Sequence, residues 1–347
     1  MSCLADADGV SGTDAVGIPG ASAASDNAAL PHSWLANPRA TKSVLDGFGL
    51  CTKHRLGQNF LVSDAVIGRI LGLAELGTSD VVLEVGPGIG TLTVAMLPLA
   101  GAVCSVEADR SLAPVLAHTC ARDSERFSLV LGDALDVDGA SLSAELASLG
   151  IDGLPASPNK LVSNLPYQVA ATIVLKAFQE MPSIRRAVVM VQSEVADRMS
   201  ARPGSRAYGG YTAKLGLYGT VTGRFEVGPG NFMPAPHVDS AVVRIDRVPA
   251  CDPQTAEPLD TGRLASCVAA IDAAFAQRRK TIRNSMVASG FERDALDVAL
   301  AEASIEPTVR AEALSTADFV RLDAALCSAG VSGAEPDAPT ASAPATR

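Results

Sequence analysis

The stretch "LEVGPGIGTLT", residues 83–93, sets the expected fold. An apolar run typical of a strand ends in Gly86-Pro87-Gly88-Ile89-Gly90, and a helix is predicted to begin at about Thr91. Glycines let a backbone approach a ligand closely, and a helix start presents oriented N–H groups. The spacing is GxGxG, and neither the GxGxxG of dinucleotide binders nor a phosphate-loop GKS/T is present. The pattern favours a nucleotide-type strand–turn–helix, although such turns also occur as purely structural elements.

Outward from this turn, short apolar runs alternate with helical segments. The runs are "DVVLEVG" (80–86), "GAVCSVEAD" (101–109), "FSLVLGD" (127–133), "KLVSNLP" (160–166) and "RAVVMVQ" (186–192). Near-continuous apolar strands separated by helices predict a parallel sheet covered on both faces, an α/β fold. Two further runs, "YTAKLGLYGTV" (211–221) and "SAVVRIDRV" (240–248), predict an antiparallel hairpin at the sheet edge.

The ends of the chain differ from its centre. Residues 1–35 are predicted to be a disordered acidic extension and residues 329–347 a disordered tail, because both lack hydrophobic periodicity. Residues 36–250 are expected to form the sheet domain. From residue 258 to residue 328 every periodic segment has helical spacing, which predicts a small all-helical domain.

Composition narrows the class of protein. Hydrophobic residues make up 48% and charged residues 19%, a soluble globular balance. The seven cysteines form no CxxC pair, which argues against a zinc or disulfide framework and for a reducing cytoplasm. No apolar run is long enough to span a bilayer, and the acidic N-terminus has no basic signal-peptide region. The net charge of −10 argues against nucleic-acid binding, but residues 1–38 contain no Lys or Arg, so a basic surface elsewhere remains possible.

Two acidic residues stand at the tips of the next strands. Glu107 ends the second predicted strand, a position from which a carboxylate reaches ribose hydroxyls. Asp133 ends the third, where it can accept a hydrogen bond from an adenine amine. Both residues could instead be ordinary strand-end turn residues. With the glycine turn, they predict a pocket for an adenosine attached to something other than pyrophosphate.

The fourth predicted strand ends in Asn164-Leu165-Pro166-Tyr167. Asn and Pro are common turn residues, so a plain turn is one interpretation. The other is an active-site floor beside the adenosine pocket.

Five segments together resemble the rRNA adenine N6-dimethyltransferase family, and within it the bacterial branch that acts on the small subunit. They are "GQNFL" (57–61), "EVGPGIGTLT" (84–93), "NLPY" (164–167), "FMPAPHVDSAVVRI" (232–245) and "FAQRRKTIRNSM" (275–286). The resemblance covers roughly residues 50–328. It implies a Rossmann-like class I S-adenosylmethionine-dependent methyltransferase sheet with a helical C-terminal domain. The implied reaction is dimethylation of two adjacent adenosines in a hairpin near the 3′ end of 16S rRNA.

The resemblance also implies the site. S-adenosylmethionine is the expected methyl donor, with no metal, and its site corresponds to Asn59, Leu61, Gly86, Glu107, Asp133 and Asn164. The family usually continues NLPY with Asn, whereas this chain has Gln168, which keeps an amide on a longer side chain.

The chemistry of the motif follows from the target. An adenine N6 amine is a poor nucleophile, because its lone pair is delocalised into the ring. Asn164 and a backbone carbonyl of Leu165–Pro166 are expected to accept its two N–H groups, and Pro166 fixes the carbonyl direction. Tyr167 is expected to stack on the extruded base, with Phe232 as the second stacking face. We expect His237 to be a surface or packed residue rather than a base.

RNA contact is predicted at Arg279, Lys280 and Arg283, whose spacing would put them on one face of a helix. Arg185 and Arg186 are instead expected to form a solvated turn. The protein is predicted to be a cytoplasmic monomer that binds 16S rRNA within the small subunit. Two alternatives stay open: a large-subunit rRNA adenine N6-methyltransferase of the antibiotic-resistance type, and a non-catalytic assembly factor.

Overall fold

The computed structural model describes residues 32–50 and 59–330. Most of the predicted N-terminal extension and nearly all of the predicted tail lie outside the described residues. The same holds for residues 51–58, which include Gly57 and Gln58 of the "GQNFL" motif and the basic cluster Lys53-His54-Arg55.

Seven strands form one sheet, and two short strands form a separate pair. The strands are β1 (Phe60–Leu61), β2 (Val81–Val85), β3 (Ala102–Glu107), β4 (Phe127–Leu131), β5 (Lys160–Asn164), β6 (Arg186–Gln192), β7 (Gly219–Val227), β8 (Phe232–Met233) and β9 (Ser240–Arg247). The sheet order is β4-β3-β2-β5-β6-β9-β7, and β1 pairs with β8. Neighbours from β4 to β6 are parallel, whereas β9 is antiparallel to both β6 and β7. The predicted parallel sheet with an antiparallel hairpin at its edge is confirmed.

The described helices surround this sheet and continue beyond it. They are α1 (Pro38–Gly47), α2 (Asp64–Ala74), α3 (Thr91–Met96), α4 (Ala113–Thr119), α5 (Gly139–Ser148), α6 (Ala170–Glu180), α7 (Ser193–Met199), α8 (Gly210–Leu215), α9 (Thr261–Phe275), α10 (Ile282–Ala288), α11 (Arg293–Glu302) and α12 (Thr316–Ser328). Alternate residues of β2 enter two different cores, as the pleat requires. Val81, Leu83 and Val85 pack with α5 and α6, and Val82 packs with α2 and α3.

The chain reverses its direction across the sheet between β2 and β5. From β2 it proceeds outward to β3 and β4, and then returns to β5 on the other side of β2. The two strands pair only at Val82–Lys160 and Leu83–Leu161. Beyond this pairing, the Ser163 hydroxyl accepts from the Val85 N–H at 2.8 Å and donates to the Val85 carbonyl at 2.6 Å. A crevice therefore opens at the carboxyl ends of the strands, where α/β sheets bind their ligands.

The C-terminal helices pack against the sheet. One hydrophobic core joins residues of β2, β5 and β6 to Ile271, Met286 and Phe319 of α9, α10 and α12. Phe275, at the end of α9, also contacts the sheet portion of the chain: the centre of its ring lies 6.2 Å from the centre of the Tyr208 ring. The division of the chain between residues 250 and 258 stays a prediction, and the two parts share one core.

The predicted strand "YTAKLGLYGTV" is wrong in its first half. Residues 210–215 form α8, and β7 begins only at Gly219. The segment is helical because Thr212, Ala213 and Leu215 are buried together, and because Gly210 lets α8 lie against Phe275, with 3.4 Å from an ideal Cβ position to the Phe275 Cβ.

The predicted common helical face of Arg279, Lys280 and Arg283 is also wrong. Helix α9 ends at Phe275, residues 276–280 form turns, and α10 begins at Ile282. Thr281 caps α10 with an extended backbone, and the N–H of Ile282 donates to the Val309 carbonyl at 2.7 Å. These contacts break the helical register that the spacing suggested.

Arg186 is not the solvated turn residue that was expected. Its side chain is 17% exposed, its Nε donates to Asp246 at 2.7 Å, and an Nη donates to Glu75 at 2.7 Å. Arg244 binds the same two carboxylates. The cluster connects the C-terminal end of α2 to β6 and β9, at the end of the sheet remote from the crevice. Burial raises the pKa of Asp246, but hydrogen bonds from the Thr222 hydroxyl, Arg186 and Arg244 outweigh burial and bring this pKa to about 2.

Candidate functional site

A cleft of about 390 Å³ lies over the carboxyl ends of the parallel strands. Its lining includes every residue predicted for the donor site: Asn59, Leu61, Gly86, Glu107, Asp133 and Asn164. It also includes Leu165, Pro166 and Tyr167 of the NLPY motif. The structure thus brings two motifs about eighty residues apart in the chain to one cleft.

The glycine loop forms the part of the wall nearest the NLPY motif. Gly86 has a φ of 71° and Gly88 a φ of 60°, both in the left-handed region that side chains disfavour. A Cβ on Gly86 would lie 3.4 Å from the Pro166 ring, and one on Gly88 would lie 3.2 Å from Phe60. Glycine is therefore required both for the backbone conformation and for the closeness of the walls.

Glu107 is fixed by two backbone donors. It is 7% exposed, one carboxylate oxygen accepts from the Asp109 N–H at 2.8 Å, and the other accepts from the Gly88 N–H at 3.3 Å. Burial raises the pKa of this carboxyl above its ordinary value, and the two backbone bonds oppose that shift. A carboxylate has about four acceptor positions, so it can still accept from two ribose hydroxyls.

Asp133 follows β4 at the outer end of the cleft and is exposed. One carboxylate oxygen accepts from the Leu135 N–H at 2.9 Å, which orients the side chain. No described residue donates to the other oxygen. That oxygen can accept from an exocyclic amine.

Two hydrogen-bond acceptors are left open at the tip of β5. The Leu165 N–H donates to the Met190 carbonyl at 3.1 Å, and the Pro166 carbonyl accepts from the Val169 N–H at 3.2 Å. No described residue donates to the Leu165 carbonyl or pairs with the Asn164 amide. Of the two carbonyls predicted for the amine, only that of Leu165 is free within the described part of the chain.

Tyr167 is held at its hydroxyl. Its oxygen lies 2.7 Å from the Ser240 Oγ on β9, and burial raises the pKa of this phenol. Ser240 is completely buried, so the contact anchors the ring to the sheet. Gln168 is exposed at the rim of the same cleft.

The structure does not bring Phe232 to the cleft. Its side chain is 5% exposed, its backbone pairs with Leu61 in the β1–β8 ladder, and it packs in the core formed with α2 and α3. Its role as the second stacking face stays a prediction, and this conformation does not support it. His237 is exposed and is not among the residues that line the cleft.

Three polar residues of the cleft were not singled out from the sequence: Glu84, Thr91 and Gln192. Glu84 is 1% exposed, and it accepts from the Thr93 hydroxyl at 2.6 Å and from the Ser105 hydroxyl at 2.9 Å. Burial raises its pKa to about 7. The sequence feature that could have revealed Glu84 is a carboxylate inside an otherwise apolar strand. Carboxylates are rarely fully buried unless they are paired, so such a residue is a candidate for a role in the site.

The residues predicted to contact RNA lie away from the cleft lining. Arg279 and Lys280 are exposed and form no ion pair with a described residue, whereas Arg283 lies 3.4 Å from Asp297. The neighbouring Arg278 lies 3.5 Å from Glu312 and donates to the Arg206 carbonyl.

The described ranges contain neither a metal-ion cluster nor a membrane-spanning helix. Residues 32–50 and 59–330 include no group of three or more His, Cys, Asp or Glu arranged to hold a metal ion. None of the helices in these ranges has the length and apolar character needed to cross a membrane.

Comparisons with known proteins agree with this geometry. The model of the family "Ribosomal RNA adenine dimethylase" matches residues 50–326. Two proteins named ribosomal RNA small subunit methyltransferase A are similar to this chain. The one from Nocardia farcinica is 40% identical over 86% of this chain and 98% of its own length. That of Streptomyces coelicolor is 39% identical over 83% and 96%.

Two solved structures have a similar fold. The dimethyladenosine transferase of Plasmodium falciparum superposes with a TM-score of 0.62 at 23% identity, over 79% of this chain and 99% of that one. The 23S rRNA methyltransferase ErmE superposes with a TM-score of 0.57 at 25% identity, over 78% of this chain and 100% of that one. The Rossmann-like class I methyltransferase fold is thereby confirmed. On the match of the family model and the close relatives, the chain belongs to the ribosomal RNA adenine dimethylase family.

Proposed function

We propose that the chain transfers methyl groups from S-adenosylmethionine to the N6 amines of two adjacent adenosines in the 3′-terminal hairpin loop of 16S rRNA. The products are N6-dimethyladenosines in the small ribosomal subunit, and the process served is ribosome biogenesis. The observation that supports this reaction best is the pair of open acceptors at the tip of β5, the Asn164 amide oxygen and the Leu165 carbonyl.

The class of the activity follows from the family: the chain is an S-adenosylmethionine-dependent rRNA adenine dimethyltransferase. The small subunit as target is supported by relatives about 40% identical that are named for it. The segments "QRRKTIRNS" and "VDSAVVRI" favour the same branch. The alternative of a large-subunit target is supported by the similarity of this chain to the 23S rRNA methyltransferase ErmE, which is 25% identical.

The cleft fits the donor in size and in polar groups. Its volume of about 390 Å³ is within the usual range for small-molecule sites. We assign the ribose hydroxyls to Glu107 and the adenine amine to Asp133, with Asn59, Leu61 and Gly86 completing the walls. When bound, S-adenosylmethionine supplies an electrophilic methyl group.

The NLPY residues prepare the target amine. Asn164 and the Leu165 carbonyl each accept one N–H of N6, which aims the nitrogen lone pair toward the donor side of the cleft. Pro166 fixes the direction of the Leu165–Pro166 backbone through its locked φ. Tyr167, anchored at Ser240, stacks on the base after it has left its helix. Orientation and stabilisation of developing charge are the main sources of rate in this scheme.

We further propose that the helical portion, residues 258–328, contacts the ribosome, with Arg279 and Lys280 as phosphate contacts. Arg283 is the weaker candidate, because Asp297 already neutralises part of its charge. The protein is proposed to act as a monomer in the cytoplasm.

A methyl-transfer assay separates these possibilities. Small subunits from cells that lack this protein are incubated with labelled donor, in parallel with naked large-subunit RNA, and the products are located by mass spectrometry. We expect two adjacent dimethyladenosines in 16S rRNA and none in the large-subunit RNA. Label in the large-subunit RNA alone would support the antibiotic-resistance type. No label in either, with intact subunit binding, would support a non-catalytic assembly factor.

A further inference from the structure

Gln192 lies at the end of β6, on the side of Asn164 away from the glycine loop. It is half-buried, and it lines the cleft. In the chain it occupies the N-cap position of α7, but its side chain makes no capping hydrogen bond, and no described residue pairs with its amide. An amide that is partly withdrawn from water and unused by the fold is available to a ligand.

The two neighbouring strands relate Gln192 to the site of the target base. Asn164 pairs with Met190, two residues before Gln192, and alternate residues of a strand point to the same face of the sheet. The amides of Asn164 and Gln192 are therefore on one face. On its other side Gln192 pairs with Ser240, whose hydroxyl anchors the ring of Tyr167. Gln192 thus lies between the strand that presents Asn164 and the strand that holds Tyr167.

A base held only at N6 and by a stacked ring can still swivel in its own plane. Besides the N6 amine, adenine offers the acceptors N1 and N7. In a base that enters the cleft with its ribose outermost, N6 and N1 are farthest from the ribose and so lie deepest, whereas N7 lies nearer the rim. Gln192 is half-buried and Gln168 at the rim is exposed, so the deeper acceptor N1 fits Gln192.

The chemistry of the amine favours a neutral donor at N1. Protonation of N1, or a hydrogen bond from a cation, would draw the amine lone pair further into the ring and make N6 less nucleophilic. The described residues that line the cleft include no Lys, Arg or His. A side-chain amide donates without carrying a charge, so it can orient the base at little cost to the nucleophile.

We propose that the side-chain amide of Gln192 donates a hydrogen bond to N1 of the target adenine. This bond fixes the rotation of the base in its plane, and it keeps N6 at Asn164 and the Leu165 carbonyl. The amide transfers no proton and takes no part in methyl transfer. The inference rests on the proposed adenine target.

Single-atom changes in the RNA test this contact. Small subunits are reconstituted with 16S rRNA that has adenosine, 1-deazaadenosine or 7-deazaadenosine at one target position, and kcat/KM is measured for wild type and for Gln192→Ala. In 1-deazaadenosine a C–H group replaces N1, so the ring cannot accept there. We expect wild type to exceed the variant about tenfold on adenosine, as for one hydrogen bond in a desolvated site.

The comparison among the three RNAs separates N1 from the rest of the base. On 1-deazaadenosine the ratio of wild type to variant should fall to about one, because both changes remove the same bond. On 7-deazaadenosine, the matched control, the ratio should stay about tenfold. Any effect of the altered ring on the reactivity of N6 cancels in these ratios, since each compares two proteins on one RNA.

A second variant, Gln192→Glu, keeps the shape of the side chain and makes the test independent of the folding of the alanine variant. An ionised carboxylate accepts but cannot donate, whereas a protonated one can donate. The activity of this variant relative to wild type should therefore rise as the pH is lowered, which a purely structural role would not produce.

Two results would overturn the assignment: an equal ratio of wild type to variant on adenosine and 1-deazaadenosine, or a ratio that falls to one on 7-deazaadenosine instead. If wild-type protein methylates no adenosine of the small subunit, the proposed function fails instead, so the two failures are distinguishable.

Discussion

Replacement of Asn164 by Ala tests whether the two open acceptors at the tip of β5, the Asn164 amide oxygen and the Leu165 carbonyl, hold the target amine. The variant removes one of the two open acceptors and leaves the Leu165 carbonyl in place, because that group belongs to the backbone. Loss of one hydrogen bond that orients the reacting group and stabilises charge in the transition state costs about 2.7–4 kcal/mol. We therefore expect kcat to fall about 100- to 1,000-fold.

The assay is methyl transfer to undermodified small subunits at saturating donor. Because Asn164 also lines the donor cleft, its replacement can weaken donor binding as well as catalysis. Saturating donor removes the binding effect from kcat, and the dissociation constant of S-adenosylmethionine is measured separately. Gln168→Ala is the matched control: it removes an amide four residues along the chain, but from an exposed position at the rim. Its kcat should fall much less than that of Asn164→Ala, because Gln168 lies at the exposed rim of the cleft. A kcat near wild type in Asn164→Ala, or an equal loss in both variants, would refute this role of the two acceptors.

Three further outcomes are expected. Glu107→Ala should weaken S-adenosylmethionine binding roughly 10- to 100-fold in calorimetry without RNA, as for hydrogen bonds to a charged group; an unchanged dissociation constant would remove Glu107 from the ribose. Replacement of both Arg279 and Lys280 by Glu should weaken binding to small subunits and flatten the salt dependence by about one log–log unit per lost phosphate contact, with donor affinity unchanged. An equal salt slope would mean that the two side chains are merely solvated. Asp246→Asn should destabilise the fold by about 2 kcal/mol near pH 7. The depressed pKa of Asp246, about 2, means that this stability is present above the unfolded pKa near 4 and is lost as pH falls toward 2, so urea midpoints of wild type and variant should converge there.

The parallel sheet was predictable because its strands are buried on both faces. β2 and β3 are buried at every position, so apolar runs marked them without any need for alternation. The meeting of Gly86, Glu107 and Asp133 in one cleft was predictable because they lie at or just beyond the ends of successive strands, and parallel strands bring such ends to one edge. At these positions the sequence pattern of each strand and the arrangement of the strands in the sheet predict the same location.

Tertiary contacts explain the errors. The segment 211–215 became helical through packing on Phe275, a residue about sixty positions away that local pattern does not reveal. The helix expected through residues 276–281 is interrupted where the Ile282 N–H donates to the Val309 carbonyl. In both helical segments a long-range contact outweighed a spacing rule. The stacking role of Phe232 stays a prediction, and in this conformation the β1–β8 ladder directs its side chain into the core.

The gap between β2 and β5 connects the fold to the chemistry. Since these strands pair at only two positions, the glycine loop after β2 and the NLPY turn after β5 are free to face each other across the crevice. Ser163 satisfies the Val85 backbone where the ladder stops, so the gap leaves neither of those groups unpaired. In the proposed reaction, the donor lies along one half of the sheet and the target amine enters from the other. The methyl group then crosses at the boundary between the glycine loop after β2 and Asn164 at the end of β5.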